Sequence, residues 1–153
     1  MSAATEKIKF HYITEKFYFR DRTGLKEFIL EQFYKRRKGV ESINFVFCDD
    51  KYLLTLNSKY LKHNTLTDII TFELSKPGEA LLSDIYISVE RIRDNAEKFD
   101  VVFSQELRRV IFHGVLHLLG YKDKTLSDAE SMRAKEEEFL KLYSISRGTK
   151  MDT

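Results

Sequence analysis

The chain has 153 residues, 42% of them hydrophobic, with one proline, six glycines and a formal charge of +2; that is enough for a real core, excludes disorder, and leaves net charge unable to name a partner. The lone Cys48 excludes an intramolecular disulfide and suits a reducing compartment. The N-terminal MSAATEKIKF contains no apolar run of signal-peptide length and no later stretch reaches transmembrane length, so a soluble, cytoplasmic single domain over residues 1–153, with no membrane partner, is the expectation.

In chain order, Ile8, Phe10 and Tyr12 alternate with Lys7, Lys9 and His11, the period of a half-buried strand with His11 on its polar side. Leu25 to Arg37 reads as a helix whose stripe is Leu25, Phe28, Ile29 and Phe33, with Gly39 as its stop. Ile43 to Cys48 is rich in β-branched and aromatic residues and predicts a strand that takes Cys48 into the core. Asp49 and Asp50 offer an N-cap for a helix through Leu53, Leu54 and Leu56 to about Tyr60. The polar segment from Lys62 to Thr67 predicts a loop. Ile69 to Leu74 follows as a strand broken by Lys76–Pro77–Gly78.

Leu81 to Val89 is a further predicted strand with Asp84 inside it. A carboxylate in an apolar strand is costly unless hydrogen-bonded or facing a polar cleft. Asp84 therefore either ties down nearby loop backbone or accepts from a histidine ring N–H, and Asp68 invites the same two readings. Val89, Ile92, Ala96 and Phe99 have helical spacing. Ser104 is placed to cap the next helix, with Glu106 near its positive end and Val110, Ile111, Gly114 and Leu118 as its apolar contact. Gly114 inside that helix costs about 0.8–1 kcal/mol against alanine, which points to close packing or open access at that position. Ser127 to Glu130 has a capping-box pattern and opens a helix that packs Met132, Phe139, Leu140 and Tyr143 on the core, with a frayed tail from Arg147. Helices alternating with strands predict a mixed α/β layered domain.

The chemistry concentrates at His113 to His117, followed by Gly120 and Asp123. Side chains at i and i+4 sit one above the other on a helix, close enough to share an ion, and a glycine can end the helix and return the chain. Two histidines and a carboxylate with a fourth position for water is the layout of a hydrolytic metal site. The plain alternative is two helix histidines that pack or face solvent. Basic clusters at Lys35 to Lys38, Lys59 with Lys62, Arg91 with Arg93, and Arg108 with Arg109 read individually as solvated faces, whereas Lys59, Lys62 and Lys122 flank the motifs.

The stretch HGVLHLLGYKDK from His113 to Lys124 resembles the signature of the YbeY family of bacterial metal-dependent endoribonucleases, His-Gly-x-Leu-His-Leu-x-Gly-Tyr-Asp-His. Leu56–Asn57 through Tyr60, Thr67 to Phe72, and Ser83–Asp84–Ile85 are similar to three further family segments, in family order. The resemblance implies a small mixed sheet packed on helices in a zincin-like domain, with His113 and His117 as catalytic residues. It implies one divalent ion, zinc the expected one, held by His113, His117 and Asp123. It implies single-stranded ribosomal RNA as substrate, ribosome or small-subunit proteins as partners, and roles in maturing the small-subunit rRNA 3′ end and in ribosome quality control. Two departures stand out: Asp123 occupies the third histidine's place, and Leu61 the place of a family arginine, for which Lys62 or His63 could substitute. RNA contact or support of the metal ligands is expected of Lys59, Lys62, His63, Asp68, Asp84 and Lys122. An assembly or RNA-binding factor with a structural metal, closed by His63 as fourth ligand, is the competing reading. A metalloprotease is disfavoured, because Gly114 stands where the H-E-x-x-H pattern needs its glutamate.

Overall fold

A computed structural model describes residues 6–14, 16–17, 20–60 and 67–148. Five helices and a four-stranded sheet are laid down in the order β1 (Ile8–Tyr12), α1 (Arg22–Lys35), β2 (Val40–Cys48), α2 (Asp50–Tyr60), β3 (Ile69–Glu73), β4 (Leu81–Ser88), α3 (Val89–Lys98), α4 (Phe103–Leu118) and α5 (Leu126–Arg147). The strands align β1-β2-β4-β3. The first three run parallel and β3 runs antiparallel along β4 at the edge. The expected mixed α/β class is the observed one.

The pleat sorts side chains by face. Ile43, Phe45 and Phe47 of β2 stand beside Ser83, Ile85 and Ile87 of β4, and this row packs with α1, α4 and α5 into one core. Phe28, Phe112, Phe139 and Tyr143 join those helices, with ring centroids 5.4–6.0 Å apart. Each such burial contributes about 1.5–3 kcal/mol. The other face carries Cys48, Ile70, Phe72 and Tyr86, partly covered by Leu53 and Leu56 of α2. Cys48 is fully buried, its thiol pushed up to about 12 by burial and then by Asp49 and Asp50.

Several helix ends differ from expectation. Helix α1 starts three residues early because Asp21, in the left-handed region at φ 57°, accepts from the Gly24 N–H. A side chain at Gly24 would overlap the Asp21 carboxylate and the Arg147 guanidinium. Its stop is Arg37 at φ 55°, not Gly39. Ser104 does not cap α4: Val102 holds that position with no side-chain hydrogen bond, and the start is anchored by the Phe103 ring against Phe17 at 5.5 Å. Thr125, not Ser127, caps α5 by accepting from the Asp128 N–H at 3.0 Å. Arg147 stays helical, held by Asp21 at 2.6 Å.

Gly114 is where α4 crosses the sheet. An added Cβ would stand 3.0 Å from Ile69 Cδ1 and 3.3 Å from Ile85 Cδ1, so its absence lets the helix lie close against β3 and β4. That approach brings the histidine face of α4 to the edge strand.

Candidate metal centre

His113 and His117 fall one turn apart on the last turns of α4, their rings 4.7 Å between centroids. The helix then ends in a Schellman turn. Gly120, at φ 103°, donates its N–H to the His117 carbonyl, and the Tyr121 N–H reaches Leu116 O, both at 3.0 Å. This reversal returns Asp123 over the histidines, with Oδ2 3.3 Å from His113 Nε2 and 3.5 Å from His117 Nε2.

The three donor atoms lie within 4.8 Å of one another and form the metal-capable group found among the described residues. Ligands at about 2.0–2.2 Å from a tetrahedral zinc stand about 3.3–3.6 Å from each other, so the two histidine–aspartate separations fit a shared ion. Side-chain exposures of 17% for His113, 32% for His117 and 41% for Asp123 leave the group open on one side. It lines a cleft of about 550 Å³ together with Asp68, just before β3, and Thr71 and Glu73 along it.

Behind the histidines lies a buried ionic network. His113 Nδ1 meets Glu136 Oε2 of α5 at 2.5 Å. The other oxygen of Glu136 accepts from Arg109 at 2.8 Å, and Arg109 also donates to both oxygens of Glu106 at 2.9 and 2.5 Å. Asp68 sits 4.0 Å from Arg109 and accepts from Asn95 at 3.4 Å. Burial opposes charge on His113, yet the hydrogen bond and charge of Glu136 outweigh it and hold the imidazole above the usual histidine range. Burial and then the neighbouring His113 hold His117 below that range. Burial would raise Glu136, but His113 and Arg109 keep it below the ordinary carboxylate value. Asp68 is raised by burial.

The other sequence-selected residues are more dispersed. Asp84 lies on the sheet face turned away from α4, where it accepts from Asn44 at 3.0 Å, and Asn44 in turn bonds His11 at 2.9 Å. It touches neither loop backbone nor a metal-site histidine. Lys59, exposed in the last turn of α2, rests over the Tyr60 ring at 5.2 Å, and Lys122 is exposed beside Asp123. Neither is among the cleft's lining residues. Leu61, Lys62 and His63 lie outside the described residues.

Sequence reasoning missed Glu136 and took Arg109 for a solvated cation, though its side chain is 14% exposed and doubly paired. A signal existed for the glutamate. It occupies the same helical stripe as Met132, Phe139 and Tyr143, and a carboxylate on a core-facing stripe requires a partner just as Asp84 does in its strand.

Comparison with known proteins places the chain in a family. The family model described as endoribonuclease YbeY matches residues 8–144. A protein named endoribonuclease YbeY from Flavobacterium psychrophilum is 46% identical over 140 residues, 92% of this chain and 99% of the relative. One of the same name from Flavobacterium johnsoniae is 43% identical over the same shares. A solution structure of a Thermotoga maritima protein superposes with a TM-score of 0.58 over 90% of each chain at 23% identity, a likeness of fold.

Proposed function

The chain belongs to the YbeY family of endoribonucleases, and from that premise we propose that it is a single-domain, zinc-dependent enzyme that cleaves single-stranded RNA and matures the small-subunit ribosomal RNA 3′ end. Ribosome quality control and contact with ribosomal small-subunit proteins, in the cytoplasm, belong to the same proposal. The carrying observation is the convergence of His113, His117 and Asp123 at the open side of one cleft.

When bound there, a divalent ion supplies Lewis acidity toward a phosphoryl oxygen and acidifies water near neutrality. The chain's own residues set the conditions. His113 Nδ1 meets Glu136 and its Nε2 faces Asp123 across the cleft. The Gly120 turn places Asp123 opposite both rings. Asp123 is a harder ligand than the histidine it replaces and admits a wider range of metals. The cleft lining includes three carboxylates, Asp68, Glu73 and Asp123, so entry of a phosphodiester depends on a cation offsetting their charge. No helix among the described residues is long and apolar enough to cross a membrane.

The test is cleavage of a single-stranded RNA by the zinc-loaded protein beside His117→Ala and a chelator-treated sample, with ribosomal subunits added in parallel. Cleavage confined to the loaded wild type supports the reading. Equal cleavage by all three, or none by the loaded protein even with ribosomal subunits, defeats it. Chelation should weaken RNA binding as well as cleavage, read by fluorescence anisotropy. A cyclic phosphate on the products would assign attack to the RNA 2′-hydroxyl, and its absence direct hydrolysis.

A further inference from the structure

We propose that Glu136, clamped by Arg109, is the positioning residue that fixes His113 as an Nε2 ligand, so that α5 holds the metal site from two directions. The inference rests on the metal reading above and concerns a residue outside the ligand group.

An imidazole on a helix rotates about χ1 and χ2 and has two nitrogens to offer. Which one faces a ligand depends on what the other one touches. Here Nδ1 is engaged by Glu136 Oε2 at 2.5 Å, so the ring presents Nε2 to Asp123 Oδ2 at 3.3 Å. A loosely held carboxylate would give poor orientation, but Glu136 is not loose. Its side chain is 3% exposed, and its second oxygen is bonded by Arg109 Nη1 at 2.8 Å. Arg109 is itself held by Glu106 through two contacts. Arg109 and His113 are four residues apart on α4, so one turn of that helix presents cation and imidazole to the two oxygens of one carboxylate. Rotation of Glu136 to release His113 would also break the arginine pair in a buried setting, where an unpaired charge is costly.

The same helix supplies the other constraint. Asp123 stands three residues before α5 begins at Leu126, and Thr125 caps that start. Any slide of α5 along α4 would displace Asp123 from the Nε2 side and Glu136 from the Nδ1 side together. His117 is the more exposed of the two histidines and its further contact is with the Tyr121 backbone, so His113 is the one of the pair that a side chain of α5 orients. The partner of a metal-bound histidine commonly contributes 10–100-fold to metal affinity.

The experiment uses the full chain with zinc and a competing chelator. Glu136→Gln should weaken zinc affinity 10–100-fold, whereas Glu136→Asp, which keeps the charge but shortens the reach, should recover only part of it. Cobalt substituted for zinc should show a shifted visible spectrum in Glu136→Gln. Long-range ¹⁵N–¹H NMR of the zinc-loaded wild type, which needs no variant to fold, should show His113 protonated at Nδ1 and ligated through Nε2. Zinc affinity of a folded Glu136→Gln within twofold of wild type, or ligation of His113 through Nδ1, overturns the proposal and leaves the metal reading standing. Failure of the wild type to bind zinc removes both.

Discussion

Two histidines stand beside hydrogen-bonded carboxylates on opposite sides of the sheet, and their surroundings differ in geometry more than in composition. His11, Asn44 and Asp84 lie on three neighbouring strands, β1, β2 and β4, and are joined in a line by bonds of 2.9 and 3.0 Å. Strand spacing of about 4.8 Å fixes such groups side by side across a pleat, and the amide between them uses up both ends. His113 and His117 instead rise from one helix face, and a Schellman turn returns Asp123 onto them. Strand register spreads the first set out. Helix pitch and a glycine turn make the second set converge. A metal centre needs donors converging on a point, so only the α4 site can serve.

The comparison can be broken most severely at the proposed ligands. His113→Ala or His117→Ala should abolish metal content and RNA cleavage while the circular dichroism of the folded chain persists. His113→Ala should also cost about 1–3 kcal/mol in denaturant unfolding, since Glu136 loses one of its buried partners. Metal retained at one ion per chain in Asp123→Ala would show that Asp123 is no ligand.

Gly114→Val should come next. Its added methyls meet Ile69 and Ile85, which already stand 3.0–3.3 Å from an ideal Cβ. Overpacking should cost about 1–3 kcal/mol, seen as a lower melting temperature, and it should weaken metal binding by moving α4 off the edge strand. Asp123→His should keep or tighten zinc by chelator competition, since it restores the residue that the family motif carries. The smallest effect belongs to the other histidine: His11→Ala should leave metal content unchanged and shift stability by no more than about 0.5 kcal/mol, because its bond to Asn44 is exposed. Loss of metal in that variant would mean the two faces are coupled.

Much of this was legible before folding. The strand alternation at Ile8 to Tyr12, the helix stripe of Leu25, Phe28, Ile29 and Phe33, and the His113–His117 pair all depend on residues within four positions of one another. Local rules reach that far. Helix starts were less legible, because several adjacent polar residues could cap and only the path of the incoming chain selects among them. Asp21 and Thr125 cap α1 and α5, while Ser104 and Ser127, equally suitable by type, do not cap α4 and α5. The role of Asp84 was illegible for a related cause: strand periodicity says that it lies on one face, but not which face the metal helix covers.

The sequence by itself determined the mixed α/β class, the apolar faces, the one-turn spacing of the two histidines and the glycine that ends their helix, because dihedral preference and side-chain periodicity are short-range. Only the tertiary structure decided that Asp123 comes within 3.3 Å of His113, that Asp84 faces away, and that Glu136 meets His113. That last pair is separated by 23 residues and lies on two helices whose contact is set by how Phe28, Phe112, Phe139 and Tyr143 fill the space between them. Packing fixes the axial register of α5 against α4, and that register places a buried carboxylate behind His113.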